Sequence, residues 1–83
     1  MKTEYKYIAF VDCRVGMPTR TGVWICKNLS SGFPIGEVKW NGGWRQYCFY
    51  PGPNTLYSAG CLKDVQDFIA QAMEARRVGR EGR

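Results

Sequence analysis

"VKWNGGWRQYCFY", residues 38–50, carries the strongest short-range structural signal in the chain. Apolar and aromatic runs flank Asn41-Gly42-Gly43, and Asn and Gly both tolerate the positive φ that a tight strand reversal needs. The stretch therefore reads as a hairpin, with strands at about 35–40 and 44–50. The turn length leaves two registers open. A three-residue turn with a bulge pairs Trp40 with Trp44 and Lys39 with Arg45. A two-residue turn pairs Lys39 with Trp44 and Val38 with Arg45. Within each strand the alternation is fixed, so Lys39 shares a face with Glu37, and Arg45 with Tyr47 and Phe49.

Outward from the hairpin, "YKYIAFVDC" at 5–13 and "VWICKN" at 23–28 are rich in aromatic and β-branched residues and read as two further strands. "RVGMPTRTG" at 14–22 is punctuated by Gly16, Pro18 and Gly22 and reads as a loop, and Ser-Ser-Gly centres a turn before the third strand. "PGPNT" ends the sheet with two prolines. A helix is expected after Ser58, a good N-cap. Leu62, Val65, Phe68, Ile69, Ala72 and Met73 then form one apolar stripe at helical spacing, with Lys63, Asp64, Gln66, Asp67 and Gln71 towards solvent. The pattern predicts an α+β fold: an antiparallel sheet of about four strands with one C-terminal helix packed on one face. Residues 1–77 form a single domain and 78–83 a flexible basic tail.

Eighty-three residues suffice for one core, and a chain of this size gains from pairing with another copy, so a homo-oligomer is expected. The composition, 45% hydrophobic and 23% charged, is that of a globular domain. A net charge of +5, part of it on Arg76, Arg77, Arg80 and Arg83, favours anionic partners. No run approaches the ~20 apolar residues of a membrane span, and "MKTEYKYIAF" lacks the pattern of a signal peptide. A cytoplasmic protein without membrane partners is expected.

The chain contains no His, which excludes Ser-His and Cys-His nucleophile pairs. No phosphate-binding glycine loop is present, and Asp64 and Asp67 read as a solvated helix pair. Cys13, Cys26, Cys48 and Cys61 include no close pair of the kind zinc sites use, so neither a metal nor a cofactor is expected. Most of them read as small buried hydrophobes. Cys61 stands in the first helical turn, where the macrodipole can activate a thiol, although packing beneath the sheet accounts for it as well. An enzyme is not expected.

What remains is the hairpin. Arg beside Tyr and Trp is a combination that grips phosphate while a base stacks on a ring. Lys39 and Arg45 are the candidate phosphate contacts, and Trp40, Trp44 and Tyr47 the candidate stacking platforms. The same residue types also fill thin cores and form protein interfaces.

The stretch 35–69 resembles a small domain encoded by many phages and prophages. The resemblance rests on Gly36, Val38 and Trp40, then Trp44, Arg45, Gln46, Tyr47, Phe49 and Pro51, then Cys61, Leu62, Asp64 and Val65. It implies a viral origin, and with it a host-cell location, and transfers no catalytic or binding residues. Small phage proteins commonly act by binding, which makes sequestration of an anionic nucleotide-type ligand, in counter-defence, the leading expectation. DNA or RNA binding, and inhibition of a host protein through the aromatic surface, are the alternatives.

Overall fold

In the computed structural model, which describes residues 1–13 and 21–81, the four strands follow one another across a single antiparallel sheet. They are β1 (Ile8–Asp12), β2 (Val23–Asn28), β3 (Pro34–Asn41) and β4 (Gln46–Pro51), and a helix, α1 (Ala59–Glu81), completes the α+β arrangement. Most of the loop expected at 14–22, from 14 to 20, lies outside the described residues.

β1 is shorter than the expected 5–13. Tyr5 N–H donates to the Ile8 carbonyl at 2.8 Å and Phe10 N–H to the Thr3 carbonyl at 2.8 Å, while Glu4 bridges Ala9. The N-terminus thus doubles back along β1 and uses its free backbone groups. Gln71 on α1 fastens this segment: its amide donates to the Lys2 carbonyl at 3.1 Å and to Tyr5 Oη at 2.9 Å, and Lys2 N–H donates to Gln71 Oε1 at 2.7 Å. Tyr5 Oη in turn donates to Asp67 Oδ2 at 2.7 Å. Asp67 and Gln71, expected towards solvent, therefore hold the terminus in place.

Ser58 caps α1 as its chemistry predicts, with Cys61 N–H donating to Ser58 Oγ at 3.1 Å. The helix continues to Glu81, past the boundary expected at 77. Gly79 costs about 1 kcal/mol relative to Ala in a helix, but Arg and Glu are good helix formers, and the Glu74–Arg77 pair supports the last turns.

The core lies between α1 and one face of the sheet. Phe68, fully buried, stacks on Phe10 at 4.0 Å between ring centroids and meets the edge of Trp24 at 5.1 Å. Ile8, Cys26 and Val38 are likewise sealed, and Val65 and Ala72 continue the helix side of the contact. Burying each large apolar side chain contributes roughly 1.5–3 kcal/mol. Gly22 is needed here, because a Cβ would stand 2.2 Å from the Trp24 ring.

The β3–β4 register corrects both sequence alternatives. Trp40 pairs with Tyr47, Lys39 with Cys48 and Asn41 with Gln46, which leaves 42–45 as a four-residue loop. The loop is closed by Asn41, whose Oδ1 accepts from Trp44 N–H at 2.9 Å. Positive φ falls on Arg45, at 55°, rather than on Gly42 or Gly43. Trp44 and Arg45, expected in the fourth strand, belong to the turn. The Lys39–Arg45 opposition of like charges does not occur. The face partition is that of the two-residue alternative: Val38, Trp40, Tyr47 and Phe49 face α1, and Glu37, Lys39, Cys48 and Tyr50 face away.

Candidate functional site

The register and the helix together create a groove. The end of the β3–β4 hairpin stands beside the C-terminal half of α1, and between them lies a space of ≈ 980 Å³. Trp40, Gly42 and Arg45 line it from the hairpin, and Met73, Glu74, Arg76 and Arg77 from the helix. Two contacts fix its width. Trp40 meets Tyr47 edge to face at 5.3 Å, and Tyr47 N–H points at the Met73 sulfur at 3.3 Å. The hairpin is thereby seated on α1 one turn before the arginines.

Arg76 lies with its guanidinium carbon 4.0 Å from the centre of the Trp40 ring. A guanidinium stacked on indole keeps its edge N–H groups free for an anion, because the ring takes only its face. Among the described residues, neither Arg76 nor Arg45 makes an ion pair with a carboxylate. Arg77 is different: its Nε donates to Glu74 Oε2 at 3.1 Å, and its Nη2 reaches Oε1. The hydrogen bond from Arg77 holds the Glu74 carboxyl below the usual carboxylate range, against a smaller upward push from desolvation. Glu74 is therefore an ionised partner that orients Arg77 and a poor proton donor. The groove has a basic rim, an aromatic wall and a Met floor.

Of the five residues singled out from the sequence, Trp40 and Arg45 share this groove. Trp44 is exposed at the tip of the turn, outside the lining. Tyr47 is buried behind Trp40, its ring edge-on to Trp24 at 5.6 Å and its hydroxyl accepting from Gly22 N–H at 2.9 Å, so it has no open ring face for a base. Lys39 lies on the opposite side of the sheet, bonded to Glu37 at 3.0 Å and 4.6 Å above the Tyr50 ring. Its ammonium is held above the usual lysine range by the Glu37 hydrogen bond. Arg76 and Arg77 were read from the sequence only as local charge. The signal that places Arg76 was present: it follows Met73 by three residues, so it extends the apolar stripe onto the sheet-facing side of α1.

One other sequence feature has a structural role. Cys61 packs against the core with its amide taken by Ser58, so that amide is not offered to an anion. Among the described residues, no group of His, Cys, Asp and Glu has the arrangement of a metal site, and no helix is long and apolar enough to cross a membrane.

The chain is similar to an uncharacterized 9.3 kDa protein of Acholeplasma phage L2, with 32% identity over 50 residues, 60% of this chain. It spans 64% of that relative's length. No described protein family and no solved structure matches the chain. The similarity supports a small phage-encoded domain.

Proposed function

We propose that the groove between the β3–β4 turn and α1 binds a nucleotide-type ligand, anionic and base-bearing, and holds it without chemical turnover. The observation that carries this reading is the Arg76–Trp40 stack at 4.0 Å, with Arg45 and Arg77 on the same rim. Arg76 and Arg45 present planar donor edges suited to phosphate oxygens, and Arg77, held by Glu74, adds its charge to the same rim. The space of ≈ 980 Å³ is at the upper end of the roughly 300–1,000 Å³ typical of small-molecule sites. A base enters by sliding against Trp40 as Arg76 turns its edge towards the phosphate.

Turnover finds no support in the groove. Its one carboxylate among the described residues, Glu74, is tied to Arg77 and held ionised, and the chain has no His to shuttle a proton at neutral pH. For a phage-encoded chain, tight binding without turnover amounts to sequestration, and a nucleotide signal of the host's defence is the ligand class this reading selects.

The test is a thermal-shift screen of mononucleotides and cyclic dinucleotides beside short single- and double-stranded DNA. Stabilisation by a nucleotide, lost in Arg76→Ala and in Trp40→Ala, is the expected outcome. If no nucleotide stabilises the chain, the reading is lost. Stabilisation by DNA alone, falling steeply with salt, transfers the groove to nucleic-acid backbone binding. An inert screen leaves inhibition of a host protein through the aromatic surface as the surviving alternative.

A further inference from the structure

The sheet face turned away from α1 carries two central rows of side chains. One row is Val11, Ile25, Glu37 and Tyr50, and the next is Cys13, Val23, Lys39 and Cys48. Both are predominantly apolar with one charge, and the two charges are of opposite sign on adjacent positions of β3. Val11, on the edge strand β1, and Ile25, on the inner strand β2, remain 45% and 37% exposed, which is high for β-branched residues. Among the described residues, no strand or helix covers them.

We propose that this face is closed by a second copy of the chain, packed sheet on sheet about a two-fold axis. The axis lies in the interface, perpendicular to the strands, at the level of Val38. The operation leaves each strand opposite its own copy and exchanges the two rows. Glu37 of each protomer then faces Lys39 of the other, Ile25 faces Val23, and Tyr50 faces Cys48. The four charges alternate in sign at the centre, so the Glu37–Lys39 pair already formed at 3.0 Å is extended rather than broken. Aligned sheets pack about 10 Å apart with a rotation near 30°, which preserves such pairings best next to the axis.

Self-complementarity is what identifies the occupant. An isologous interface must offer each residue its counterpart's partner on the same surface, and these rows do so in both charge and apolar character. A face shaped for an unrelated protein has no reason to be invariant under that exchange. The patch is also electrically balanced at its centre although the chain carries +5, so two copies meet here without the repulsion expected elsewhere on their surfaces. Lys27, Asn41 and Gln46 fall in the outer rows and give the polar rim of an ordinary interface.

The pairing has a test that separates it from general stickiness. Sedimentation equilibrium of the full chain is expected to show a dimer. E37K and K39E each place like charges opposite one another, and each is expected to self-associate at least tenfold more weakly than the parent. Mixed in equal amounts, E37K and K39E regain complementarity, and a dimer of one copy of each is expected to return. That recovery also shows that both variants fold. A monomeric parent overturns the proposal, as do variants that dimerise like the parent or a mixture that stays monomeric. The groove lies on the other side of the sheet, so nucleotide stabilisation persists in E37K if the groove reading holds, whatever the outcome here.

Discussion

The two faces of the sheet are built from the same strands by strict alternation, yet they differ in what finishes them. On the α1 side, Phe10, Trp24, Val38 and Tyr47 interlock with Phe68, and ring contacts run continuously from Phe10 to Trp40. On the other side, Val11, Ile25 and Tyr50 surround the Glu37–Lys39 pair, and among the described residues no strand or helix lies above them. One helix with one apolar stripe covers one face only. The covered face therefore supplies the stability of the isolated chain, while the two recognition surfaces proposed above are the uncovered face and the rim beside the C-terminal half of α1.

The largest expected difference between the faces comes from truncating one residue on each. Phe68→Ala removes a fully buried ring that touches both Phe10 and Trp24, and should cost about 3–5 kcal/mol by urea denaturation. That is a large share of the roughly 5–15 kcal/mol a small domain possesses. Ile25→Ala on the open face should cost the monomer less than about 1 kcal/mol. Equal losses at both positions would erase the distinction between the faces.

Smaller, and purely steric, is a contrast between two glycines. A methyl group at Gly22 must displace the Trp24 ring from 2.2 Å, so Gly22→Ala should cost about 1–3 kcal/mol and alter the near-ultraviolet circular dichroism of Trp24. At Gly42, on the groove, nothing lies within 4 Å of an added Cβ, and Gly42→Ala should leave stability unchanged. A tolerated alanine at Gly22 would mean that the covered face is packed more loosely than the ring contacts indicate.

The covered face should also have an alkaline signature. Burial, aided by the nearby Cys61, pushes the Cys26 thiol up to about 12 from an ordinary 9.0. The Tyr5 hydroxyl is raised as well, by burial first and then by its bond to Asp67. Both groups keep their protons longer in the folded chain than in the unfolded one. Their contribution is complete below about pH 9 and is lost as pH rises towards the folded values, at about 1.4 kcal/mol per pH unit per group. Between pH 9 and 10 the unfolded thiol titrates before the unfolded phenol, so Cys26→Ala should flatten the early part of the decline. An unchanged slope in that variant would remove Cys26 as its cause.

The sequence disclosed the covered face better than the rim, for a local reason. "VWICKN" became β2 with its ends as expected, and Ser58 capped α1, because a glycine, a turn and an N-cap hydroxyl act on their immediate neighbours. The stripe from Leu62 to Met73 likewise identified Phe68 as core. The hairpin register was harder to read, since Asn41-Gly42-Gly43 signals a turn without stating its length. Asn41 chose the longer one by bonding to Trp44 N–H, and two residues of strand-like chemistry, Trp44 and Arg45, became loop. That two-residue change took Arg45 off the sheet and brought it to the groove. The groove itself joins Trp40 to Arg76 across a separation that no local pattern spans, and the contacts of Tyr47 with Trp40 and with Met73 align them.

The smallest expected effect is also the one that tests whether the rim is shaped for binding. Arg45 has φ of 55°, a conformation that costs a residue with a Cβ roughly 1 kcal/mol and costs glycine little. Gly42 and Gly43 stand in the same loop, yet the left-handed position is filled by arginine. If Arg45 serves only to complete a turn, Arg45→Gly should raise stability by about 1 kcal/mol and change nothing else. If it is placed to reach phosphate, the same substitution should raise stability and weaken nucleotide binding together, whereas Arg45→Lys, which keeps the charge and the strain, should retain part of the affinity. Urea midpoints and ligand titrations on the two variants separate these cases. A gain in stability bought with affinity is the pattern of a strained residue held for function, and it would mark the hairpin tip as part of the site and not merely its border.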